Sequence, residues 1–163
     1  MIPSPVRHWQ PILIAALSAT AVAALGALMT DLGPWYMSLR KPSWQPPDWL
    51  FGPVWTLIFG LCALSGYIAW RNAPNRGGRD GIIGLFALNG FLNILWSTIF
   101  FRLRRPDWAL VEVGLLWFSI FLMIVVLMRY SKTASLLLLP YLGWVTFAGA
   151  LNWAVVRLNA PFA

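Results

Sequence analysis

The sequence predicts an all-α membrane protein, a single bundle of five transmembrane helices. Three observations carry that reading. Of the 163 residues, 60% are hydrophobic and only 10% are charged, against about 25% charged in an ordinary soluble domain. Such a chain lacks the polar residues to cover one soluble core with a wettable surface. Five apolar segments recur at roughly 10–30, 47–70, 80–101, 107–129 and 134–157, each close to the ~20 residues that cross ~30 Å of hydrocarbon. The connections are short except the first, so consecutive helices are antiparallel neighbours in one up-and-down domain spanning residues 1–163.

The first segment follows Arg7 and superficially resembles a signal peptide. Its run from Ile12 to Met29 is long enough to span a bilayer and lacks a polar cleavage region, so it reads as a retained helix. Ala15, Ala19, Ala23 and Ala27 repeat along it at four-residue spacing, a strip that lets another helix approach closely. A longer loop, roughly 31–46, leads to the second segment, where Pro46 and Pro47 suit a first helical turn. Pro53 and Pro140 fall inside apolar runs and should bend or loosen the second and fifth helices. In the third segment Gly81, Gly84, Ala87 and Gly90 form a smooth strip that serves either a subunit interface or packing within the monomer. The fifth carries a small strip of its own at Thr146, Ala150 and Ala154.

The net charge of +7 arises from 12 Lys and Arg against 5 Asp and Glu. These cations cluster between apolar runs, where they meet phospholipid head groups, and none forms a basic stripe beyond the membrane boundaries; nucleic acid is not an expected partner. Arg7, Arg71, Arg76, Arg79, Arg129 and Lys132 would share one side of the membrane, and Arg40, Lys41, Arg102, Arg104, Arg105 and Arg157 the other. Six against six leaves the orientation open.

Enzyme and metal signatures are nearly absent. One histidine, His8, and one cysteine, Cys62, form no metal-ligand or nucleophile pair worth assigning, and no metal site is expected. Asp31, Asp48, Asp80 and Asp107 fall in loops or at helix ends, where capping and solvation explain them. Glu112 lies about one turn inside the fourth segment. An intramembrane carboxylate is a functional candidate, with the alternative that it snorkels toward Arg104 or Arg105.

The aromatic inventory is more informative: 11 Trp, 10 Phe and 4 Tyr. Trp9, Trp70 and Trp108 sit at helix ends and suit interfacial anchors. That role does not account for Trp35, Tyr36, Trp44, Trp49, Phe51 and Trp55 in one short stretch, nor for Trp96, Trp117 and Trp144 near the middle of their spans. A buried indole N–H needs an acceptor, so a mid-membrane Trp should face a polar group or a ligand. Asn89, Asn93 and Asn152 lie in the same spans, either as interhelical glue or as polar handles, and Asn93 shares a helical face with Trp96. The combination describes a cavity with aromatic walls suited to a flat, conjugated ligand.

The stretch Trp35-Tyr36-x-x-Leu39-x-Lys41-Pro42-x-Trp44-x-Pro46-Pro47 resembles the hallmark of the translocator protein family, also called tryptophan-rich sensory proteins or peripheral benzodiazepine receptors. The resemblance continues with Phe51, Pro53, Trp55 and Thr56, then Asn93-x-x-Trp96-x-x-x-Phe100-Phe101, then Pro140-Tyr141-x-x-Trp144 and Leu151-Asn152. It covers nearly the whole chain. It implies a five-helix bundle, usually a homodimer, for which the strip on the third helix is a candidate surface. It also implies a first loop that lids a cleft open to porphyrin, haem and benzodiazepine-type drugs, with no cofactor required. The ligand-binding residues so implied are Tyr36, Trp44, Trp55, Phe59, Asn93, Trp96, Trp144 and Ala148.

Two positions depart from the family pattern. Asn89 stands where a glutamine is frequent, so that contact would be lost or water-bridged. Trp153 replaces the tyrosine of the animal sterol motif between Leu151 and Arg157, which argues against cholesterol transport. The motif set has a bacterial character, placing the protein in a bacterial cell membrane. Three functions follow from the resemblance: a receptor or sensor for tetrapyrroles, a light-dependent tetrapyrrole-degrading activity through Trp55 and Trp144, or a carrier of lipid or porphyrin.

Overall fold

The computed structural model describes residues 9–162; Arg7, His8 and the side chain of Trp9 fall outside them. Every regular element among the described residues is a helix: α1 (Trp9–Met29), α2 (Pro34–Ser38), α3 (Asp48–Asn72), α4 (Arg76–Ser97), α5 (Pro106–Leu127), α6 (Lys132–Leu136) and α7 (Leu139–Asn159). A π-helical turn, Thr98–Arg102, continues α4. Among the described residues five runs are long and apolar enough to cross a membrane: Gln10–Met29, Asp48–Asn72, Arg76–Arg102, Pro106–Leu127 and Lys132–Asn159. The chain is an integral membrane protein.

Local chemistry explains where the boundaries depart from the expected ones. The third span starts at Arg76 rather than near residue 80, because Asn75 caps it, its Oδ1 accepting the Gly78 N–H at 2.8 Å. The loop over 31–46 is not wholly irregular but holds α2, whose first residue is Pro34. Pro47 precedes α3 instead of entering its first turn. The fifth span does loosen at Pro140, and further than a bend: the run breaks after α6 and resumes as α7, with Pro140 in the first turn. Proline has no N–H to bond the carbonyl one turn back. Side-chain bonds hold the broken stretch in place, from Ser65 Oγ to the Ala134 carbonyl and from Ser135 Oγ to the Ile124 carbonyl, both 2.7 Å.

Around the bundle, α1 packs on α3 and α4, α4 on α5, and α5 on α7, while α3 meets α6. One core cluster, including Ile58, Leu92, Leu116, Ile120, Met123 and Tyr141, fills the half away from the lid. A second, of Tyr36, Phe100, Phe101, Ala109 and Val155, lies beneath the lid. The outer faces are apolar, with Ile14, Leu17, Leu57, Val111, Leu115 and Phe118 exposed to the hydrocarbon.

The small-residue strips divide. Ala15, Ala19 and Ala23 are half-buried as expected, with the stripe passing to Gly26 rather than Ala27. Gly90 is buried against Val22, so it belongs to packing within the monomer; Gly81, Gly84 and Ala87 remain exposed. On α7 the expected strip divides: Thr146 and Ala150 are exposed and Ala154 is half-buried, Thr146 still meeting α5 through Trp117, while the buried residues are Tyr141, Val145, Asn152 and Val155. Asn152 belongs to this buried set. Oriented to satisfy both neighbours, its amide donates to the Pro106 carbonyl at 3.1 Å and accepts from the Leu110 N–H at 2.9 Å. That ties α7 to the first turn of α5.

Glu112 also departs from expectation. It does not snorkel to an arginine: it is 4% exposed and neither carboxylate oxygen has a hydrogen-bond partner. Arg105 pairs with Asp107 instead, and Arg104 lies over the Trp35 ring.

Candidate functional site

The helices enclose a cavity of about 690 Å³ beneath the lid, lined from α1, α3, α4, α5 and α7. α3 begins one wall with Phe51, Trp55 and Phe59, the last two stacked at 5.5 Å with rings 25° apart. Trp144 of α7 stands at right angles to Trp55, ring centres 6.5 Å apart, and 5.5 Å from Phe51. From α4, Trp96 stacks on Phe100 at 5.1 Å. The π-helical turn brings consecutive rings inward: Leu103 N–H reaches back five residues to the Thr98 carbonyl at 3.0 Å, and both Phe100 and Phe101 are buried. The side chain of Arg102 donates to the Leu28 carbonyl, joining this turn to the end of α1.

The lid is held at two points. Tyr36 donates from its hydroxyl to Asp48 Oδ1 at 2.9 Å, while Gln45 Nε2 reaches both, at 3.3 and 3.2 Å. The Lys41 ammonium sits 3.6 Å from the centre of the Tyr36 ring and 3.8 Å from Asp48. Burial, reinforced by the bond to Asp48 and its charge, pushes the Tyr36 phenol up to about 12. At the second point Asn159 clamps the backbone of Arg40, accepting its N–H at 2.7 Å and donating to its carbonyl at 2.8 Å.

Of the residues singled out from the sequence, Tyr36, Trp55, Phe59, Asn93, Trp96, Trp144 and Ala148 line this cavity. Trp44 does not. It is half-exposed and meets Phe147 edge-on at 5.8 Å, and Phe147 in turn abuts Trp144 at 5.4 Å. Other lining residues were not anticipated as contacts: Gly26 and Ala27 from α1, Gln45 and Asp48 from the lid region, and Phe100 and Phe101. The phenylalanines were visible in the motif and Ala27 in the small-residue strip, but Gly26 carries no signal of its own.

The three asparagines play different parts. Asn89 lies behind the wall, donating to Ser119 Oγ at 2.9 Å and accepting from the Tyr141 hydroxyl at 3.1 Å. Asn152 is interhelical glue that also borders the cavity. Asn93 does both, bonding Tyr141 at 3.2 Å from a cavity-lining position. Trp117 faces outward, its indole donating to Thr146 Oγ1 at 2.8 Å. By contrast the indole nitrogens of Trp96 and Trp144 are buried without a partner. Unpaired donors in an apolar wall are costly.

The sequence profile of the TspO/MBR family matches residues 13–158. A tryptophan-rich protein TspO of Archaeoglobus fulgidus is 43% identical over 146 residues, covering 88% of this chain and 94% of that protein. The tryptophan-rich sensory protein of Cereibacter sphaeroides is 35% identical over 149 residues, 88% and 92% of the two chains. The human translocator protein is 36% identical over 126 residues, 77% and 75%. With a profile that runs from the first span to the last and relatives that align over most of their length, this five-helix membrane protein belongs to the TspO/MBR family.

Proposed function

We propose that the protein is a membrane receptor or sensor whose lidded cavity binds a tetrapyrrole of the porphyrin or haem type, and accepts benzodiazepine-type drugs in the same place. One observation carries the reading: the rings of Trp55, Phe59, Trp96, Phe100 and Trp144 converge on one cavity as an aromatic wall. A conjugated ligand gains from stacking on that wall. The volume of about 690 Å³ falls inside the roughly 300–1,000 Å³ of small-molecule sites. Titrating protoporphyrin against intrinsic Trp fluorescence tests this. Saturable quenching that is weakened in Trp55→Ala with Trp144→Ala is the expected result; quenching that does not saturate, or is unchanged in the double variant, overturns it.

The perpendicular Trp55–Trp144 pair favours a second reading, in which these electron-rich indoles promote light-dependent oxidation of the bound tetrapyrrole by dioxygen. Bleaching to a defined product, abolished in Trp144→Phe, would separate this from binding alone. The protein as a homodimer in a bacterial cell membrane completes the proposal. The exposed strip of Gly81, Gly84 and Ala87 on α4 is the surface that would meet the second copy.

A further inference from the structure

The amide of Asn93 has a fixed polarity, and the residues that fix it lie outside the cavity. The chain of bonds begins at Ser119, whose Oγ stands 2.7 Å from the Leu116 carbonyl oxygen. A carbonyl cannot donate, so the one hydroxyl proton of Ser119 is committed there. Ser119 Oγ can then only accept from the Asn89 side chain 2.9 Å away, which must turn its nitrogen toward it. Asn89 Oδ1 is left facing the Tyr141 hydroxyl at 3.1 Å and takes its proton. Tyr141 can now only accept from Asn93, whose Nδ2 lies 3.2 Å away. The reverse order would forfeit the Ser119–Leu116 bond, so this direction satisfies one more group.

What remains at the cavity end is Asn93 Oδ1. It sits 3.8 Å from the point where a Cβ on Gly26 would stand, and Gly26 and Asn93 both line the cavity. The absent side chain on α1 leaves that oxygen open to a ligand. We infer that Asn93 is set as a hydrogen-bond acceptor, so that the cavity selects flat ligands presenting an N–H or O–H donor at that depth. Ser119, Asn89 and Tyr141 act as positioning residues that enforce the choice. The inference rests on the cavity being the ligand site, as proposed above. The rings of Trp96 and Trp144 line the same cavity, but their indole nitrogens are buried away from it, so the selection at that wall rests on Asn93 Oδ1. A planar lactam presents the N–H donor that this oxygen accepts. A ligand that meets Asn93 with an alkyl group leaves the oxygen desolvated and unpaired, which lowers affinity about tenfold or more.

Three planar probes of one skeleton test this: phenanthridinone, which carries a lactam N–H, its N-methyl derivative, and the hydrocarbon phenanthrene. Affinity is read from quenching of Trp fluorescence in the purified full-length protein. In the unmodified protein the lactam should bind about tenfold more tightly than its N-methyl derivative. Asn93→Leu should abolish that ratio, which separates a lost hydrogen bond from the bulk of the methyl group. Ser119→Ala, which removes the anchor of the chain without touching the cavity, should shrink the ratio while leaving phenanthrene binding unchanged. Equal affinities for the two lactams in the unmodified protein overturn the inference. So does a ratio that Ser119→Ala leaves intact, as regards the positioning residues. Failure of phenanthrene and protoporphyrin alike to bind removes the ligand site itself, and is distinguishable from the first two results.

Discussion

The Tyr36 hydroxyl donates to Asp48 Oδ1 across 2.9 Å, and this bond closes the lid onto the first residue of α3. Tyr36→Phe keeps the ring over Phe101 but removes the latch. Bound ligand should leave several-fold faster in stopped-flow dissociation, and stability should fall by about 1 kcal/mol.

The same latch has an alkaline limit. Burial, with Asp48 adding to it, raises the Tyr36 phenol to about 12, above the roughly 10 of an unfolded tyrosine. A folded value raised in this way contributes stability fully below the unfolded value and loses it as pH climbs through the folded one. Release rates should therefore be flat from neutral pH to about 10, then rise toward about 12. Tyr36→Phe should lack that step.

Trp144→Phe should act with opposite signs on stability and binding. The empty protein loses an unpartnered buried donor and should be unchanged or more stable by up to about 1 kcal/mol. Flat conjugated ligands lose the larger ring to stack on and should bind several-fold more weakly. Thermal unfolding in detergent and fluorescence titration on the same samples check both halves.

Glu112 is buried with both oxygens unpaired, an arrangement that a membrane core penalises. Glu112→Leu should raise stability by about 1–3 kcal/mol, measured by thermal unfolding. A drop in stability instead would mean that the carboxylate has a partner, such as an internal water.

Gly90 and Gly84 share a helix but should respond differently to alanine. A Cβ at Gly90 would stand 2.9 Å from Val22 Cγ2, so α1 must shift, whereas at Gly84 it meets nothing within 4 Å. Gly90→Ala should destabilise the monomer by about 1–3 kcal/mol. Gly84→Ala should not; an effect confined to the oligomeric state, read by crosslinking, would place α4 at the subunit interface.

How much of this was legible in the sequence depends on the kind of signal each residue gives. The five spans and their approximate ends follow from hydropathy and length, which depend on the solvent and not on partners. Helix rotation is another matter. The small residues of α7 were correctly spaced, yet Thr146 and Ala150 lie outside the buried face, which holds Asn152 with its side chain against α5. Glu112 failed similarly: sequence proximity to Arg104 and Arg105 suggested an ion pair, but Arg105 is taken by Asp107, two residues on. Phe59 and Ala148 came from the resemblance alone, whereas Trp96 and Trp144 were legible because large aromatics in mid-span demand a reason. Gly26 was not, since its contribution is the space it leaves. Trp44 was placed in the cavity by resemblance, yet it reaches the site only through Phe147.

The π-helical turn at Thr98–Arg102 has a consequence for comparing chains. One extra residue in a turn advances everything after it by about 100° of helical rotation. A relative with one residue fewer between Ser97 and Leu103 would keep its third span yet present a different pair of side chains beneath the lid. In this segment, homologous positions are those that point the same way, and an alignment without a gap can pair residues that do not.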